Sequence, residues 1–308
     1  MNLFIPSYIK LLDSGELKER VEQALKLLED CIVCARYCHV NRLKGELGVC
    51  KVGRLARVAS YGPHHGEEDV LRGWSGSGTI FFSGCSLSCQ YCQNFAISQD
   101  PKSGYEVTGE QLADIMLELQ HSGCHNINLV TPSHIVPQIL EAAYIAAQKG
   151  LSLPLVYNTG GYDSIEMLKI LDGIIDIYMP DMKYADEKMA RKYSKVKDYP
   201  QINQKAVLEM HRQVGNLIVN DEGLAVKGLL IRHLVLPNNI GGTKEIMHFI
   251  ATQISKNTYI NIMDQYFPSY KADKYPEIDR SITKEEFEEA IRAAHDEGLY
   301  RLDKADVL

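Results

Sequence analysis

All but one of the chain's eight cysteines, Cys124, fall into two short runs, so any fold for this sequence must carry each run as a compact loop that gathers its thiols. The more telling run, TIFFSGCSLSCQYCQN from Thr79, sets Cys85, Cys89 and Cys92 in a C-x3-C-x2-C spacing. It continues directly from Gly78–Phe82, which reads as a buried strand ending just before Gly84. Thiols clustered in this way, in a sequence with no secretory h-region, point to metal ligation and a reducing, cytoplasmic compartment rather than to disulfides. Three thiolates leave a [4Fe–4S] cluster with one iron open to a ligand from a small molecule. The bare spacing also suits part of a zinc site.

The second run, Cys31, Cys34, Cys38 and Cys50, has the spacing C-x2-C-x3-C-x11-C. Four thiolates suit tetrahedral zinc or an Fe–S cluster equally, and His39 is a candidate replacement ligand. A fully ligated site of either kind is structural or electron-transferring. Cys124, alone, reads as a buried apolar residue.

A net charge of −7 argues against a general binder of nucleic acid or anionic membrane. No run of apolar residues is long enough to predict a membrane span. The 308 residues, 45 % of them hydrophobic, suffice for one large core with a small appendage. We place that division at residues 1–72, a helical and Cys-rich extension, and 73–308, an α/β unit. Residues 15–30 read as an amphipathic helix. Beyond the Gly-rich connector, strand candidates at 78–82, 126–130, 153–157, 174–179, 228–235 and 258–263 alternate with helical patterns. Thr108 with Gln111 and Thr283 with Glu286 make capping boxes at two of the helix starts, and Gly298 ends the last helix. This βα alternation predicts a parallel sheet, doubly wound or a partial barrel.

In such folds chemistry collects at the C-terminal ends of the strands. The cysteine loop follows the first strand, Thr131–His134 the second, Asn158–Gly161 the third, Asp181 and Lys183 the fourth, and Asn261, Asp264, Gln265 and Tyr266 lie at the end of the sixth. His64, His65, Glu67, Glu68 and Asp69, upstream of the cluster strand, either line this mouth or sit on a solvated surface.

The cysteine loop, with Tyr91 in the aromatic slot between its second and third cysteines, resembles that of the radical S-adenosylmethionine (AdoMet) enzymes. From about Ser77 onward the chain resembles uncharacterised relatives of the pyruvate formate-lyase activating enzymes. YNTGGY at Tyr157–Tyr162, PDMKY at Pro180–Tyr184, LIRHLVLP at Leu230–Pro237 and INIMDQYFP at Ile260–Pro268 carry that resemblance. It implies a partial (β/α)6 barrel with a C-terminal helix, a [4Fe–4S] cluster on Cys85, Cys89 and Cys92, and AdoMet chelating the open iron. It also implies reductive cleavage of AdoMet to a 5′-deoxyadenosyl radical that abstracts hydrogen from a substrate, either a glycyl-radical enzyme partner or another molecule. A flavodoxin- or ferredoxin-type donor would supply the electron, and the basic run from Lys183 to Lys197 is a candidate docking face. Lys183 would reach the AdoMet carboxylate, Arg232 would pair with AdoMet and Asp181 would hold a polar network. Asn158 and Thr159 would lie beside AdoMet, Tyr91 would cover the adenine, and Asn94 would help hold the loop. The family's Gly-Gly-Glu after the second strand is absent. TPSH stands there, so Thr131, Ser133 or His134 would replace part of its hydrogen bonding. The alternative from a different class is a non-catalytic Fe–S or zinc protein acting as a metal-dependent binding module.

Overall fold

The structure is a computed structural model, and it describes residues 4–100 and 102–303. Its centre is an open sheet in which β2 (Ser77–Phe82), β4 (Ile127–Val130), β5 (Leu155–Thr159), β6 (Ile177–Pro180), β8 (Ala225–Leu234) and β9 (Tyr259–Met263) run parallel in that order. These are the six strands expected from the sequence. The sheet does not close between β2 and β9, as in a partial barrel. β1 (Ala56–His64) pairs antiparallel with the outer edge of β2, and β3 (Tyr105–Val107) with β1. The two-residue β7 (Ile218–Val219) pairs antiparallel with the start of β8. Sequence reading missed β1: its end runs through Gly62 and Pro63, which read as connector.

β5 starts two residues later than expected. Pro154 has no N–H to give to a ladder, so pairing begins beyond it, and the strand runs on through Asn158 and Thr159, which pair with Met179 and Pro180. That shift makes Asn158 a strand residue with a fixed side-chain direction.

Helices cover the outer faces. In chain order they are α1 (Ser7–Ser14), α2 (Glu16–Lys26), α3 (Asp69–Arg72), α4 (Phe95–Ser98), α5 (Gly109–His121), α6 (Val136–Gln148), α7 (Ile165–Ile170), α8 (Glu187–Ser194), α9 (Tyr199–Val214), α10 (Thr243–Phe249) and α11 (Lys284–Asp296). Both expected capping boxes form, at Thr108–Gln111 and Thr283–Glu286. α6 packs on α5 and is covered by α1 and α2 as well, which explains why it is apolar over most of its circumference. The N-terminal helices are pinned by polar contacts as well. Tyr8 donates to the Leu153 carbonyl at 2.9 Å, and Ser7 N–H to the buried Asp176 carboxylate at 2.8 Å. Among the described residues no helix is long and apolar enough to cross a membrane.

Candidate active site

The cluster loop leaves β2 through Gly84, which has φ +82°. A side chain there would be strained, and a Cβ would lie 2.8 Å from the Cys50 carbonyl oxygen. The loop is then held by backbone bonds to α8: Ser88 N–H donates to Ser194 O at 3.2 Å and Gln90 N–H to Tyr193 O at 2.7 Å. Each thiol sulfur has a hydrogen-bonding neighbour. Leu87 N–H points to Cys85 Sγ at 3.3 Å, the Ser194 hydroxyl lies 3.0 Å from Cys89 Sγ, and the Ser98 hydroxyl 3.1 Å from Cys92 Sγ. Such donors stabilise thiolate sulfur on a cluster.

Burial pushes the Cys85 thiol up to about 12 and the Cys89 thiol up to about 11, with Lys183 pulling the latter back down. Cys89 is buried and Cys85 and Cys92 are half-buried, and three thiolates packed this closely are held only around a cationic group. The donor set therefore fits an iron–sulfur cluster, which takes its thiolates one per iron at separate corners. Among the described residues no three Cys, His, Asp or Glu side chains converge on a single-ion position.

Cys89 and Cys92 border a cavity of about 220 Å3 whose facing wall is Asp181, Lys183 and Arg232. These three form one network. Lys183 Nζ donates to Asp181 Oδ2 at 2.5 Å, Arg232 Nε to Asp181 Oδ1 at 2.9 Å, and a terminal Arg232 nitrogen to Asn158 Oδ1 at 2.7 Å. α9 fixes the backbone beneath them: the Tyr199 hydroxyl donates to the Gly160 and Asp181 carbonyls, and Asn203 Nδ2 to the Gly161 and Asp181 carbonyls, all at 2.9–3.0 Å. Gly161, at φ +74°, leaves no room for a Cβ, which would meet Asn203 Nδ2 at 2.2 Å. Tyr199, Asn203 and Ser194 lie outside the motifs and carried no signal in the sequence.

Tyr91 borders the same cavity with its ring edge-on to Tyr184 and Tyr266, and its hydroxyl accepts from Tyr184 at 2.7 Å. Asn94 is exposed at the rim, and Gln93 ties the loop to the Gln265 carbonyl at 3.0 Å. The structure thus brings Tyr91, Asn94, Asp181, Lys183 and Arg232 to the cysteines' cavity, and ties Asn158 to it through Arg232. Thr159, Ser133 and His134 border neither this cavity nor the one beside it. Thr159 donates to the buried Asp163 at 2.7 Å and meets the Ser133 hydroxyl at 2.8 Å. His134 is fully buried, its Nε2 3.0 Å from the Ser83 carbonyl, and burial lowers its pKa to about 4. Thr131 makes the turn after β4 at φ +62°, its N–H donating to Asn158 O at 2.8 Å.

A second cavity of about 280 Å3 adjoins the first and shares Asn94, Arg232, Met263 and Gln265 with it. Its other walls include His64, Glu67, Glu68 and Asn261. Of the connector residues, His64, Glu67 and Glu68 line the mouth, whereas His65 and Asp69 are exposed and do not border it.

The N-terminal thiols gather next to the cluster loop. Cys31 and Cys34 are buried, Cys38 and Cys50 half-buried. Burial pushes the Cys34 thiol up, and each of the other three thiols adds to that. Buried Arg42 lies 3.9 Å from Cys31 Sγ and donates to the His134 carbonyl at 2.7 Å. His39 turns to Asp30 at 2.9 Å. Arg36 donates to the Ser86 carbonyl at 2.6 Å, within the cluster loop.

The family model described as the radical SAM superfamily matches residues 79–250. The chain belongs to the radical SAM superfamily. Two uncharacterised proteins of Methanocaldococcus jannaschii resemble it. MJ0674 is 32 % identical over 92 % of this chain and 79 % of its own length, and MJ0808 is 23 % identical over 80 % and 73 %. Among solved structures, methylornithine synthase aligns with 96 % of this chain and 75 % of its own at 14 % identity and a TM-score of 0.49. HydG, a maturase of the [FeFe]-hydrogenase, aligns with 70 % and 48 % at 14 % identity and a TM-score of 0.46. Membership in this superfamily implies a [4Fe–4S] cluster and AdoMet, and the residues that border the first cavity suit both.

Proposed function

We propose that this radical SAM protein cleaves AdoMet reductively at a cluster held by Cys85, Cys89 and Cys92 and uses the product radical to take a hydrogen atom from a substrate. The observation that carries the reading is the single cavity in which Cys89 and Cys92 face the Asp181–Lys183–Arg232 network. When bound, the reduced cluster and AdoMet supply a one-electron cleavage to methionine and a 5′-deoxyadenosyl radical. The chain's own residues bind and orient. Lys183 presents a cation to the AdoMet carboxylate. Asp181 aims both Lys183 and Arg232, and its carboxylate is held by them in turn. The aromatic group around Tyr91 keeps water from the loop side. Ser194 and Ser98 donate to the ligand sulfurs. The four N-terminal thiols, joined to the cluster loop through Arg36, are a candidate second metal site for zinc or an Fe–S cluster; since they do not converge on a single-ion position as they stand, zinc would require them to close in further.

The test is 5′-deoxyadenosine formation by anaerobically reconstituted protein given AdoMet and dithionite, beside a Cys89→Ala control. The expected result is product that disappears in the control. Protein with a full iron–sulfur complement that yields no product, with or without cell extract as a substrate source, would refute the reading and leave a metal-dependent binding module.

A further inference from the structure

The second cavity carries charge that AdoMet cleavage does not use. It fills the open side of the barrel between Phe81 of β2 and Asn261 of β9, and the segment from His64 to Glu68 closes it. Glu68 is only 3 % exposed. One of its carboxylate oxygens accepts from Asn261 Nδ2 at 2.9 Å, whereas the other, Oε2, is buried with no hydrogen-bond partner among the described residues. Buried acceptors are normally satisfied, and Glu68 belongs to the cavity wall, so its unpartnered oxygen is an acceptor that a donor entering the cavity takes up by a small turn of the carboxylate. Glu67 stands beside it, its side chain 8 % exposed and its Oε1 3.4 Å from His64 Nδ1. Burial raises the Glu67 carboxyl, and neighbouring Glu68 adds to that rise, against the pull of Arg232 and His64.

Around the two cavities the acidic side chains outnumber the fixed cations. Glu67, Glu68 and Asp181 supply three carboxylates. Lys183 and Arg232 supply two fixed cations, and both are bonded to Asp181. The half-exposed His64 is the remaining basic group at the second cavity's wall. AdoMet reaches the edge of this cavity, where Arg232 and Asn158 border it, but its ammonium is not placed at Glu67 and Glu68. On the reading above its amino and carboxylate groups belong to the open iron, and the cysteines border the first cavity, not the second.

We propose that the second cavity is the substrate chamber and that it takes a small molecule bearing a protonated amine, held by Glu67 and Glu68. This rests on the radical SAM reading of the first cavity. A carboxylate pair takes an ammonium through charge-assisted bonds, and Asn261 holds Glu68 in place to receive one. Phe81, Val130 and Met263 offer apolar surface to the carbon chain. Because the two cavities join along Arg232 and Met263, a C–H bond of a ligand anchored at Glu68 lies on the AdoMet side. Hydrogen then moves as an atom: the substrate C–H bond breaks as the C–H bond of 5′-deoxyadenosine forms, and the unpaired electron stays on the substrate carbon.

The test titrates n-butylammonium chloride, with 1-butanol and sodium butyrate as size-matched comparisons, into anaerobic cluster-loaded protein with AdoMet, read by ligand-observed NMR. The unaltered protein is expected to bind n-butylammonium at least about tenfold more tightly than either comparison. Glu67→Gln and Glu68→Gln are each expected to weaken it roughly tenfold or more, the worth of one charge-assisted hydrogen bond. AdoMet affinity in these variants, by equilibrium dialysis, is expected to stay within about twofold, since no AdoMet contact is lost. Equal affinity for the three probes on unaltered protein overturns the proposal without any variant having to fold. Loss of AdoMet affinity in both variants overturns it too, by assigning the carboxylates to AdoMet. Protein that selects n-butylammonium through Glu67 and Glu68 yet cleaves no AdoMet retains the chamber and refutes the reading of the first cavity. Cleavage without selection does the reverse.

Discussion

Asp181 is the point on which both cations of the first cavity converge, and Asp181→Asn removes its charge while keeping its shape. Lys183 Nζ is 2.5 Å from one oxygen and an Arg232 nitrogen 2.9 Å from the other, and the three side chains are 14–19 % exposed. The amide retains one acceptor. It leaves two cations facing each other in a cavity, with the neutral Asn158 as Arg232's remaining side-chain partner. Breaking a buried pair from one side costs about 3–5 kcal/mol. The cavity is open to some solvent, so the lower end, about 3 kcal/mol, applies. With a slope of about 3 kcal/mol per M urea for a chain of this size, the unfolding midpoint should fall by about 1 M. The assay is urea unfolding followed by far-UV circular dichroism, anaerobically and without AdoMet at pH 7. Adding Lys183→Met to Asp181→Asn removes one of the stranded cations and should recover about 1–2 kcal/mol. Burial raises the Asp181 carboxyl, but Arg232 and Lys183 together outweigh it and hold the carboxyl below its ordinary value. A depressed carboxyl contributes stability above its unfolded pKa of about 4 and loses it as pH falls through the folded value. The variant should therefore differ most from the parent at neutral pH and converge with it below about pH 4. An Asp181→Asn midpoint within about 0.3 M of the parent at pH 7, equivalent to under 1 kcal/mol, would refute the claim that this carboxylate organises the site.

Two further outcomes follow from the cluster loop's surroundings. Ser194→Ala removes the hydroxyl 3.0 Å from Cys89 Sγ; losing one donor to a ligand sulfur should lower the cluster's midpoint potential by roughly 20–50 mV, read by redox titration with EPR, and an unchanged potential would reject the bond. α8 joins the cluster loop through Ser194 and presents Arg191 and Lys195 to solvent, so Arg191→Glu with Lys195→Glu should slow reduction by flavodoxin several-fold at low salt, with the difference vanishing at high salt and reduction by dithionite unaffected; equal flavodoxin rates would exclude this face as the docking site.

Much of the fold was legible because its signals are local. A Pro or Gly sets where pairing can start, a capping box is complete within four residues, and apolar runs between helical patterns mark the six parallel strands. β1 escaped because β3 covers only its first residues, and the Gly62–Pro63 end beyond them has an open outer edge that tolerates Gly and Pro, so its composition matched a connector. In the candidate site, Asp181, Lys183 and Arg232 were found by motif, and the structure joins them through one carboxylate. Ser133, Thr159 and His134 occupy matching sequence positions, but their polar atoms are turned to Asp163 and the Ser83 carbonyl. A sequence position at a strand end specifies a neighbourhood and leaves the direction of the side chain to packing.

By itself the sequence determined the thiol spacings, the parallel βα order and the superfamily, because ligand spacing along a loop and strand–helix periodicity are properties of short segments. Only the tertiary structure decided which side chains share a cavity. Glu67 and Glu68 are about 190 residues from Asn261 in the chain, and nothing local ties them together. They meet because the barrel stays open between its first and last parallel strands, and the segment leading into β2 crosses that gap. Closing the gap with polar chain puts Glu68 on the cavity wall with one carboxylate oxygen unpartnered, and it is that placement, not the composition of the segment, on which the proposed amine site rests.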